Sequence, residues 1–544
     1  MRVRINVIGL AVNFSMKLMV NNLRMPLDSG VEQLKKAAAA KIGVGAGDIK
    51  VFKITKESID ARRKPDIRRV YSVLAEVDGN IRLPDSSEVR VVEEPPEEAL
   101  VPGSRRIPNR PVVIGTGPAG IFAGLLLAQH GYKPLIFERG ECVEHRTAAV
   151  EKYWTAGNLD PESNVQFGEG GAGTFSDGKL TTRIHDRRCD RVLEELFKSG
   201  ADEDILYKAR PHIGSDVLKR VTVSMRKRIE ELGGEIRFNS RMTSLKLDDG
   251  KITGILINDS EEVEAEVVVL AVGHSARDTF YSLLKAGVIF QQKPFSIGVR
   301  IEHPQQLINR AQYGSAESHP ALGAADYQLF HKTGGRTAYS FCMCPGGIVV
   351  ASASEHGMIV TNGMSEFARD RENANSAFVV SVEPGDFGES HPLAGVEFQR
   401  SWERKAFEAG GKDNSAPVQR LADFISGNVS GRFGSVAPSY TGSVRQADLN
   451  LCLPSYVTGA LKEATGYFDR KLKGFAMGDA VLTGVETRTS SPVRIPRGDS
   501  LEAEGIRGLY PAGEGAGYAG GIVSAAVDGM RVAEQIIRTY APIG

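Results

Sequence analysis

The segment Pro111–Gly140 constrains the fold more than any other part of the chain. In it, a buried-looking apolar run, Val112–Ile114, precedes the glycine spacing G-x-G-x-x-G, and the helical pattern of Ile121–His130 follows. A second apolar run, Pro134–Phe137, ends at Glu138. Strand, glycine turn, helix and strand in this order predict the opening unit of a dinucleotide-binding domain, with a glycine-rich turn of an ordinary α/β fold as the alternative.

Each glycine of this turn has its own physical role. Gly115 permits the tight turn, Gly117 lets the backbone approach a pyrophosphate, and Gly120 lets helix pack on strand. Pro118 and Ala119 lie between them, beside the free N–H groups of the helix N-terminus, which attract phosphates.

The second strand ends at Glu138 and Arg139, and the acid is 18 residues past the last glycine of the turn. A carboxylate there is placed to accept hydrogen bonds from an adenosine ribose. It disfavours a 2′-phosphate, so FAD or NAD fits better than NADP.

A chain of 544 residues is too long for one hydrophobic core, so two or three domains are expected. Five cysteines, an odd number, argue against a disulfide framework and for a reducing compartment. No apolar run approaches the ~20 residues of a membrane span. The start, MRVRINVIGLAV, has no signal-peptide cleavage pattern and predicts a strand over Arg2–Val12, so we expect a cytoplasmic protein with no membrane partner.

The predicted layout is a small basic α+β domain (1–92), a Pro- and Glu-rich linker (93–108), and a discontinuous FAD-binding or NAD-binding domain interrupted by an inserted α+β domain. The discontinuous domain occupies 109–290 and 473–544, and the insert 291–472. Predicted elements of the first domain after its opening strand are a helix, Val31–Lys41, and two strands, Ile49–Thr55 and Arg69–Val77.

A second glycine-rich segment, FGEGGAGTFSDGKLTTR, covers Phe167–Arg183. Its glycines cannot support a helix or strand core, and such backbone suits close approach to a flat or anionic ligand. The alternative is a flexible surface loop. The predicted cofactor-binding residues here are Gly170, Gly171, Ala172, Gly173 and Thr174.

Further along, Cys189–Gly200 and Asp216–Gly233 are predicted helices, and Glu235–Gly273 is predicted as consecutive strands that return to the main sheet at Gly273. Gly508–Pro511 ends a strand, and a last glycine-rich turn, Ala512–Gly521, opens a long helix.

These three pieces in this order resemble the glutathione-reductase-like flavoprotein superfamily, a resemblance that selects FAD over NAD. It implies that an acid in the C-terminal turn contacts the ribityl or pyrophosphate, and Glu514 matches that acid where Asp is more usual. It also implies that the last helix N-terminus points at the flavin N1/O2 edge, where its dipole stabilises negative charge. The matching residues are Gly273, Gly513, Gly520, Gly521 and Ile522.

Longer strings resemble one family more closely: FGEGGAGTFSDGKL, PFSIGVRIEHPQ, FCMCPGG, TNGMS and GVETRTSSPVRIPR. They are similar to largely uncharacterised bacterial proteins called FAD-dependent dehydrogenases, or NAD(FAD)-utilising dehydrogenases. The resemblance covers nearly the whole chain and implies non-covalently bound FAD and an oxidoreductase. It carries no substrate, because fold alone does not give function.

Cys342 and Cys344 are the one closely spaced cysteine pair. Residues i and i+2 of a strand share a face but lie too far apart for an unstrained disulfide. A bend at Pro345–Gly347 would allow a strained, redox-active bridge. Two buried thiols acting as small apolar side chains are the favoured alternative. No second Cys/His pair has ligand spacing, so no metal site is predicted.

Two histidines, His212 and His274, are candidates to exchange a proton coupled to hydride transfer, with a hydrogen-bonded loop histidine as the alternative for each. Arginines near a flavin cavity grip carboxylates or phosphates, although ion-paired surface roles are commoner. The string around Arg488, Thr489 and Ser490 directly precedes the C-terminal segment, and we expect these three residues to line the active cavity.

The mid-chain glycines Gly233, Gly234 and Gly273 form no second nucleotide-binding fingerprint, so NAD(P)H is expected only as a transient partner. The predicted function is two-electron redox on a small-molecule substrate. The alternatives are a flavoprotein that modifies nucleic acid such as tRNA and a flavin-stabilised binding protein without turnover.

Charge is uneven along the chain. Residues 1–90 carry 17 Lys/Arg and 10 Asp/Glu, a balance of +7 in a protein of zero net charge. The basic loop SIDARRKPDIRR lacks the interleaved aromatic residues on which bases stack. We therefore expect the N-terminal domain to dock on the flavin module and disfavour a nucleic-acid partner.

Overall fold

The computed structural model describes residues 15–79, 83, 85–93, 99–388 and 390–543. Its backbone contacts define two compact units. Unit 1 comprises Met1–Ala99, Leu206–Arg210 and Tyr313–Gly323. Unit 2 comprises Leu100–Ile205, Pro211–Gln312 and Ala324–Gly544.

In the part of unit 1 that the structure describes there are four strands and one α-helix: β1 (Ser15–Met25), α1 (Val31–Ile42), β2 (Ile49–Asp60), β3 (Arg68–Asp78) and β4 (Val89–Val91). The strands make an antiparallel sheet in the order β2-β3-β1-β4. Apolar residues of α1 and of the sheet share one buried core, which includes Leu34, Ala38, Val20 and Val73.

The predicted helix and the two later predicted strands of this region are present. The predicted strand Arg2–Val12 lies outside the described residues, as do residues 94–98 of the predicted linker. The strand Ser15–Met25 was not predicted.

Unit 2 is a mixed α/β structure, as the sequence predicts. Its strands in chain order are β5 (Val112–Ile114), β6 (Leu135–Phe137), β7 (Glu235–Arg237), β8 (Met242–Asp248), β9 (Lys251–Ile257), β10 (Glu261–Glu264), β11 (Val268–Leu270), β12 (Gln291–Gln292), β13 (Phe295–Pro304), β14 (Phe330–Thr333), β15 (Arg336–Cys344), β16 (Ile348–Ala351), β17 (Thr361–Met364), β18 (Asn373–Val382), β19 (Ala416–Arg420), β20 (Val444–Gln446), β21 (Val481–Glu486), β22 (Val493–Arg494) and β23 (Leu509–Pro511).

The α-helices of unit 2 are α2 (Pro118–Gln129), α3 (Val143–Ala156), α4 (Arg188–Lys198), α5 (Ser215–Glu231), α6 (Arg277–Lys285), α7 (Gln305–Tyr313, whose last residue belongs to unit 1), α8 (Ala394–Ala409), α9 (Leu421–Ser426), α10 (Ser455–Lys471) and α11 (Ile522–Thr539). None of the helices in the described ranges combines the length and the apolar character that a membrane span requires.

A five-stranded parallel sheet organises the first part of unit 2, in the order β23-β11-β5-β6-β7. Its three central strands are buried along their whole length, which explains their continuous apolar runs. The predicted excursion from the sheet is the antiparallel β8-β9-β10 layer, after which β11 returns to the centre. Parallel strands place their carboxyl ends at one edge, where ligands of such sheets bind.

A seven-stranded sheet organises the rest, in the order β14-β15-β18-β13-β21-β19-β20. β13 lies at its centre, paired antiparallel with β18 and with β21. Because β21 covers Val481–Glu486, this sheet extends past the predicted boundary at residue 472. The chain leaves this sheet at Glu486 and forms β22 and β23 before it enters the C-terminal turn.

Candidate functional site

The first glycine-rich turn joins β5 to α2. Gly115 has a φ of 99°, in the region that favours glycine, and its N–H donates to the carbonyl of Phe137 at 2.7 Å. A Cβ on Gly120 would overlap the Gly115 carbonyl oxygen, so the helix lies this close only without a side chain there. The helix begins at Pro118, where a missing N–H costs nothing, and not at the predicted Ile121.

Glu138 is 5% exposed and follows β6. Its Oε2 accepts hydrogen bonds from N–H and Oγ1 of Thr116 at 2.9 and 2.8 Å. Its Oε1 accepts from the N–H groups of Gly140 and Gly168, both at 3.0 Å. A carboxylate offers about four acceptor positions, so the protein itself occupies all of them. A ribose contact would compete with these bonds and stays a prediction.

Arg139, the second residue predicted at this end, is held by carboxylates of the protein. Its guanidinium donates to Glu162 at 2.9 Å and to both oxygens of Asp278 at 2.9 and 3.0 Å. It also lies over the ring of Phe167, 4.0 Å from the centroid. Its contacts therefore fix the start of the second glycine-rich segment.

The second glycine-rich segment packs directly on the first turn. The N–H of Gly170 donates to the carbonyl of Thr116 at 3.1 Å, and a Cβ on Gly171 would lie 3.0 Å from the Cα of Gly117. A short 3-10 turn, Gly171–Phe175, contains Ala172, Gly173 and Thr174. A Cβ on Gly173 would lie 3.4 Å from the side chain of Ile522. The segment thus lies between both helix N-termini.

Arg146 fixes the backbone of this segment and was not predicted. It is fully buried on α3 and donates hydrogen bonds to four carbonyl groups, those of Asn164, Val165, Gly168 and Glu169. Burial lowers the pKa of Arg146 to about 10, which leaves it charged at neutral pH. Arg146 therefore fixes the backbone conformation of this segment, which is not a flexible surface loop.

The C-terminal turn completes the cluster. The N–H of Gly513 donates to Asp528 at 2.7 Å, and a Cβ on Gly513 would lie 2.7 Å from that of Ala119. A Cβ on Gly515 would lie 2.5 Å from the carbonyl oxygen of Gly273. Gly520 and Gly521 have open space where side chains would extend, immediately before α11 begins at Ile522. All the glycine-rich segments therefore converge at one edge of the parallel sheet.

His274 and Glu514 meet beside this turn, with Nε2 of the histidine 3.8 Å from a carboxylate oxygen of Glu514. Burial lowers the pKa of His274 to about 3 and raises that of Glu514 to about 7. The nearby Lys293 ammonium favours the ionised carboxylate but does not offset the burial. At neutral pH the histidine is neutral, and Glu514 is balanced between its two protonation states.

Arg488, Thr489 and Ser490 lie close to the C-terminal turn but differ in surroundings. Arg488 is 8% exposed, pairs with both oxygens of Glu403 at 3.0 and 2.9 Å, and donates to Ser275 at 3.1 Å. Thr489 exchanges two hydrogen bonds with the backbone of Ser296. Ser490 is partly exposed. The guanidinium of Arg488 is thus occupied by the protein, and a role in the cavity stays a prediction.

His212 pairs with Lys179 in an isolated antiparallel bridge, a few residues past the second glycine-rich turn. Its Nε2 contacts the carbonyl of Phe367 at 3.1 Å and its ring stacks on that of Phe367 with centroids 5.4 Å apart. Burial, chiefly, lowers its pKa to about 4. These contacts favour the hydrogen-bonded loop histidine, and a proton-transfer role remains a prediction.

Cys342 and Cys344 are both free thiols in the structure. They lie near Lys179 and Arg300, two cations whose proximity to the cysteines was not predicted. The signal for both was present, because each stands inside one of the family-specific strings, SDGKL and IGVRIEH.

Comparison with known protein families also indicates FAD as the cofactor. Residues 294–489 match the family described as FAD-dependent protein, C-terminal domain-like, and residues 16–76 match a domain of unknown function, DUF8436. The predicted cofactor, FAD, is confirmed by the first match.

Among solved structures, CtdE in complex with FAD is 14% identical, with 78% of this chain and 82% of that chain covered and a TM-score of 0.31. Glycine oxidase from Geobacillus kaustophilus is 12% identical, with coverages of 80% and 96% and a TM-score of 0.37.

A protein of Clostridium beijerinckii, itself uncharacterised, is 51% identical over 538 residues, which cover 96% of this chain and 99% of that protein. The chain belongs to the same family as this bacterial protein, and its cofactor is FAD.

Proposed function

We propose that the chain is an FAD-dependent oxidoreductase that carries out two-electron redox on a small-molecule substrate, built on a two-part Rossmann-like FAD domain of the glutathione-reductase-like type. One observation carries the proposal. The glycine-rich segments around Gly117, Gly171, Gly273 and Gly513 converge where the parallel strands end and where two helices begin. Bare backbone beside helix N-termini is what a pyrophosphate needs.

The residues present fit FAD as a non-covalent cofactor. Gly117 and the N-terminus of α2 are suited to the pyrophosphate, and Glu138 lies at the end of β6 where the adenosine is expected. Gly520 and Gly521, without neighbours where side chains would be, leave the N-terminus of α11 open toward the flavin. FAD when bound supplies hydride and electron transfer, and the protein supplies orientation and charge.

Glu514 and His274 are the groups of this chain best placed to manage a proton there. Burial keeps Glu514 near half-protonation at neutral pH and keeps His274 neutral, so together they can hold and pass one proton. Lys293, partly buried beside Glu514, supports the ionised form of the acid. A nicotinamide, if used, is proposed only as a transient partner.

Unit 1 is proposed to dock on the flavin module and not to bind nucleic acid. Several basic side chains in and beside its loop are ion-paired within the unit: Arg62 pairs with Asp60 at 2.7 Å and Arg68 with Asp66 at 2.7 Å. Arg69 lies 3.6 Å from Glu57. Charge paired in this way contributes little to phosphate binding.

The first experiment is the purified protein itself, which is expected to be yellow. Acid precipitation should release free FAD into the supernatant. Colour that stays in the pellet would contradict non-covalent binding, and a colourless protein that cannot be reconstituted with FAD would refute the proposed function.

A sharper test uses Gly117→Ala. In the structure Gly117 has a φ of −64°, and an added Cβ would find its nearest atom at 3.9 Å, so the variant should fold normally. The methyl group would occupy the approach of the pyrophosphate, and we expect at least a tenfold loss of FAD affinity. Gly459→Ala, on α10 with open space around it, is the matched control. Equal FAD affinity in both variants would contradict the assigned site.

A further inference from the structure

A β-bulge places the two neighbouring cysteines in an unusual position on β15. Phe341 pairs with Ala377 of β18, but the next pairing is Cys344 with Asn375, so one extra residue is inserted. Cys342 has a φ of 42°, a left-handed conformation that is uncommon for a side-chain-bearing residue. Bulges of this kind re-aim side chains and are frequent beside active sites.

Two cations cap the carbonyl groups that the bulge exposes. Arg300 donates to the carbonyl of Cys342 at 2.6 Å and lies 3.4 Å from the Sγ of Cys344. Lys179 donates to the carbonyl of Met343 and to Asp177. Arg300 therefore contacts one of the two sulfur atoms directly, and both cations favour the thiolate form of Cys342.

A glycine in the sequence leaves the space that the Arg300 side chain occupies. A Cβ on Gly363, the glycine of the TNGMS string, would overlap the guanidinium group. Arg300 is fully buried on β13, where it also donates to Asn375 at 2.9 Å and to Glu486 at 3.1 Å. A buried arginine with this many partners is an organised feature of the site, because an unpaired charge would be costly to bury.

The two thiols differ in their electrostatics. The hydrogen bond from Cys344, together with Lys179 and Arg300, holds the pKa of Cys342 well below its usual range. Burial raises the pKa of Cys344. By contrast, burial raises the pKa of the Cys452 thiol to about 12, and the nearby Lys405 does not offset it. One thiolate beside one thiol is the arrangement that favours disulfide chemistry.

Glu486 supplies a proton acceptor. It is 5% exposed, and its Oε2 has no hydrogen-bond partner among the described residues. Burial raises the pKa of Glu486 to about 7, although the Arg300 guanidinium beside it favours the ionised carboxylate. The carboxylate that pairs with Arg300 can therefore take up a proton from the same cluster.

The cluster is continuous with the glycine-rich segments. Ser176 follows the turn Gly171–Phe175 and precedes Asp177 and Lys179 of the cluster. Its hydroxyl donates to the carbonyl of Gly173 at 2.7 Å, which links the cluster to the turn. The N–H of Gly178 in turn donates to Ser176 at 3.1 Å.

We propose that Cys342 and Cys344 form a redox-active dithiol that exchanges two electrons with FAD, an inference that rests on the proposed function. In the oxidative direction the S–H bond of Cys344 breaks and an S–S bond forms to the Cys342 thiolate. Glu486 would take the proton first, and bound FAD, a two-electron acceptor, would then receive the two electrons and that one proton. The reverse step reduces the disulfide.

The test is an anaerobic titration of the FAD-containing protein, first oxidised with diamide, with a two-electron reductant. The wild-type protein should consume about two equivalents per flavin, one for the disulfide and one for FAD. Cys344→Ser should consume about one, and the matched control Cys452→Ser about two.

The apoprotein gives an independent readout. After diamide treatment the peptide that contains both cysteines should lose two hydrogens in mass and resist alkylation until it is reduced, while Cys452 should stay alkylatable after unfolding. This measurement needs no variant to fold, and Cys342→Ser should abolish it.

An FAD-containing wild-type protein that consumes one equivalent, or a cysteine peptide unchanged by diamide, would overturn the dithiol proposal alone. A protein that binds no FAD would overturn the proposed function and, with it, electron exchange between dithiol and flavin. The two failures are therefore distinguishable.

Discussion

Glu138→Gln tests the view that this carboxylate organises the cofactor loops as well as serving a ligand. In the structure four donors hydrogen-bond to the two carboxylate oxygens. Three of these donors are backbone N–H groups, which cannot act as acceptors instead. A glutamine keeps one acceptor oxygen and replaces the other with an NH₂ group. Whichever way the amide is turned, at least one backbone N–H then faces another donor.

The magnitude follows from these contacts. A buried donor left without an acceptor costs about 1–3 kcal/mol, and hydrogen bonds to a charged group are worth about 1.5–3 kcal/mol each. If the amide oxygen replaces Oε1, the Thr116 N–H is orphaned; if it replaces Oε2, the N–H groups of Gly140 and Gly168 are. Because these donors share one side chain, their costs do not add fully, and we expect a loss of about 3 kcal/mol in the free energy of unfolding.

The assay is urea unfolding of the apoprotein followed by tryptophan fluorescence. The chain has 2 tryptophans, Trp154 and Trp402, and both belong to unit 2, so the signal reports on the unit that contains Glu138. Glu141→Gln, a partly exposed acid three residues further on, is the control and should not shift the midpoint. An apoprotein of unchanged stability that has nevertheless lost FAD affinity would refute the reasoning, because the carboxylate would then serve the ligand alone.

Three further outcomes are expected. Burial raises the pKa of Glu514 from 4.5 to about 7, so its contribution to the free energy of unfolding is complete below pH 4.5 and is lost as the pH rises to about 7. Glu514→Gln should therefore become more stable than the wild type across this pH range. The control Glu262→Gln, which changes an exposed acid, should not. Gly529→Ala should lower the free energy of unfolding by about 3 kcal/mol in the urea assay, because its Cβ would overlap the Ala119 carbonyl, whereas Gly520→Ala should be neutral. Binding of tRNA in a gel-shift assay should be weak and vanish at moderate salt; binding that persists at physiological salt and is abolished by deletion of residues 1–92 would favour a nucleic-acid role.

The glycine-rich turns and the parallel sheet were predictable because their causes are local. A turn that needs positive φ, as at Gly115, or a helix that lies on its own turn, as at Gly120, selects glycine at that position whatever the rest of the chain does. The buried strands β5 and β11 are likewise visible as short apolar runs. The helix start was misplaced by three residues because Pro118 was assigned to the turn and not to the first helical position.

The large sheet was less predictable because its order depends on distant pairings. β13 at its centre pairs with β18 and with β21, and β21 lies beyond the boundary predicted at residue 472. No local pattern in Val481–Glu486 distinguishes a strand of this sheet from one of the parallel sheet, since both are continuously buried.

The charged groups around the cofactor turns were the least predictable part of the site, because they too depend on contacts between distant parts of the chain. Arg488 and Arg277 both pair with Glu403, a fully buried carboxylate on α8 that lies far from either of them in sequence. Burying three charges costs desolvation energy that apolar residues of similar volume would not incur, so stability alone does not account for this network. The network does fix the segment after β11, because Arg488 also donates a hydrogen bond to Ser275, the neighbour of His274. We infer that the network serves to position His274 against Glu514, a role that depends on which elements pack together and so leaves no local mark in the sequence.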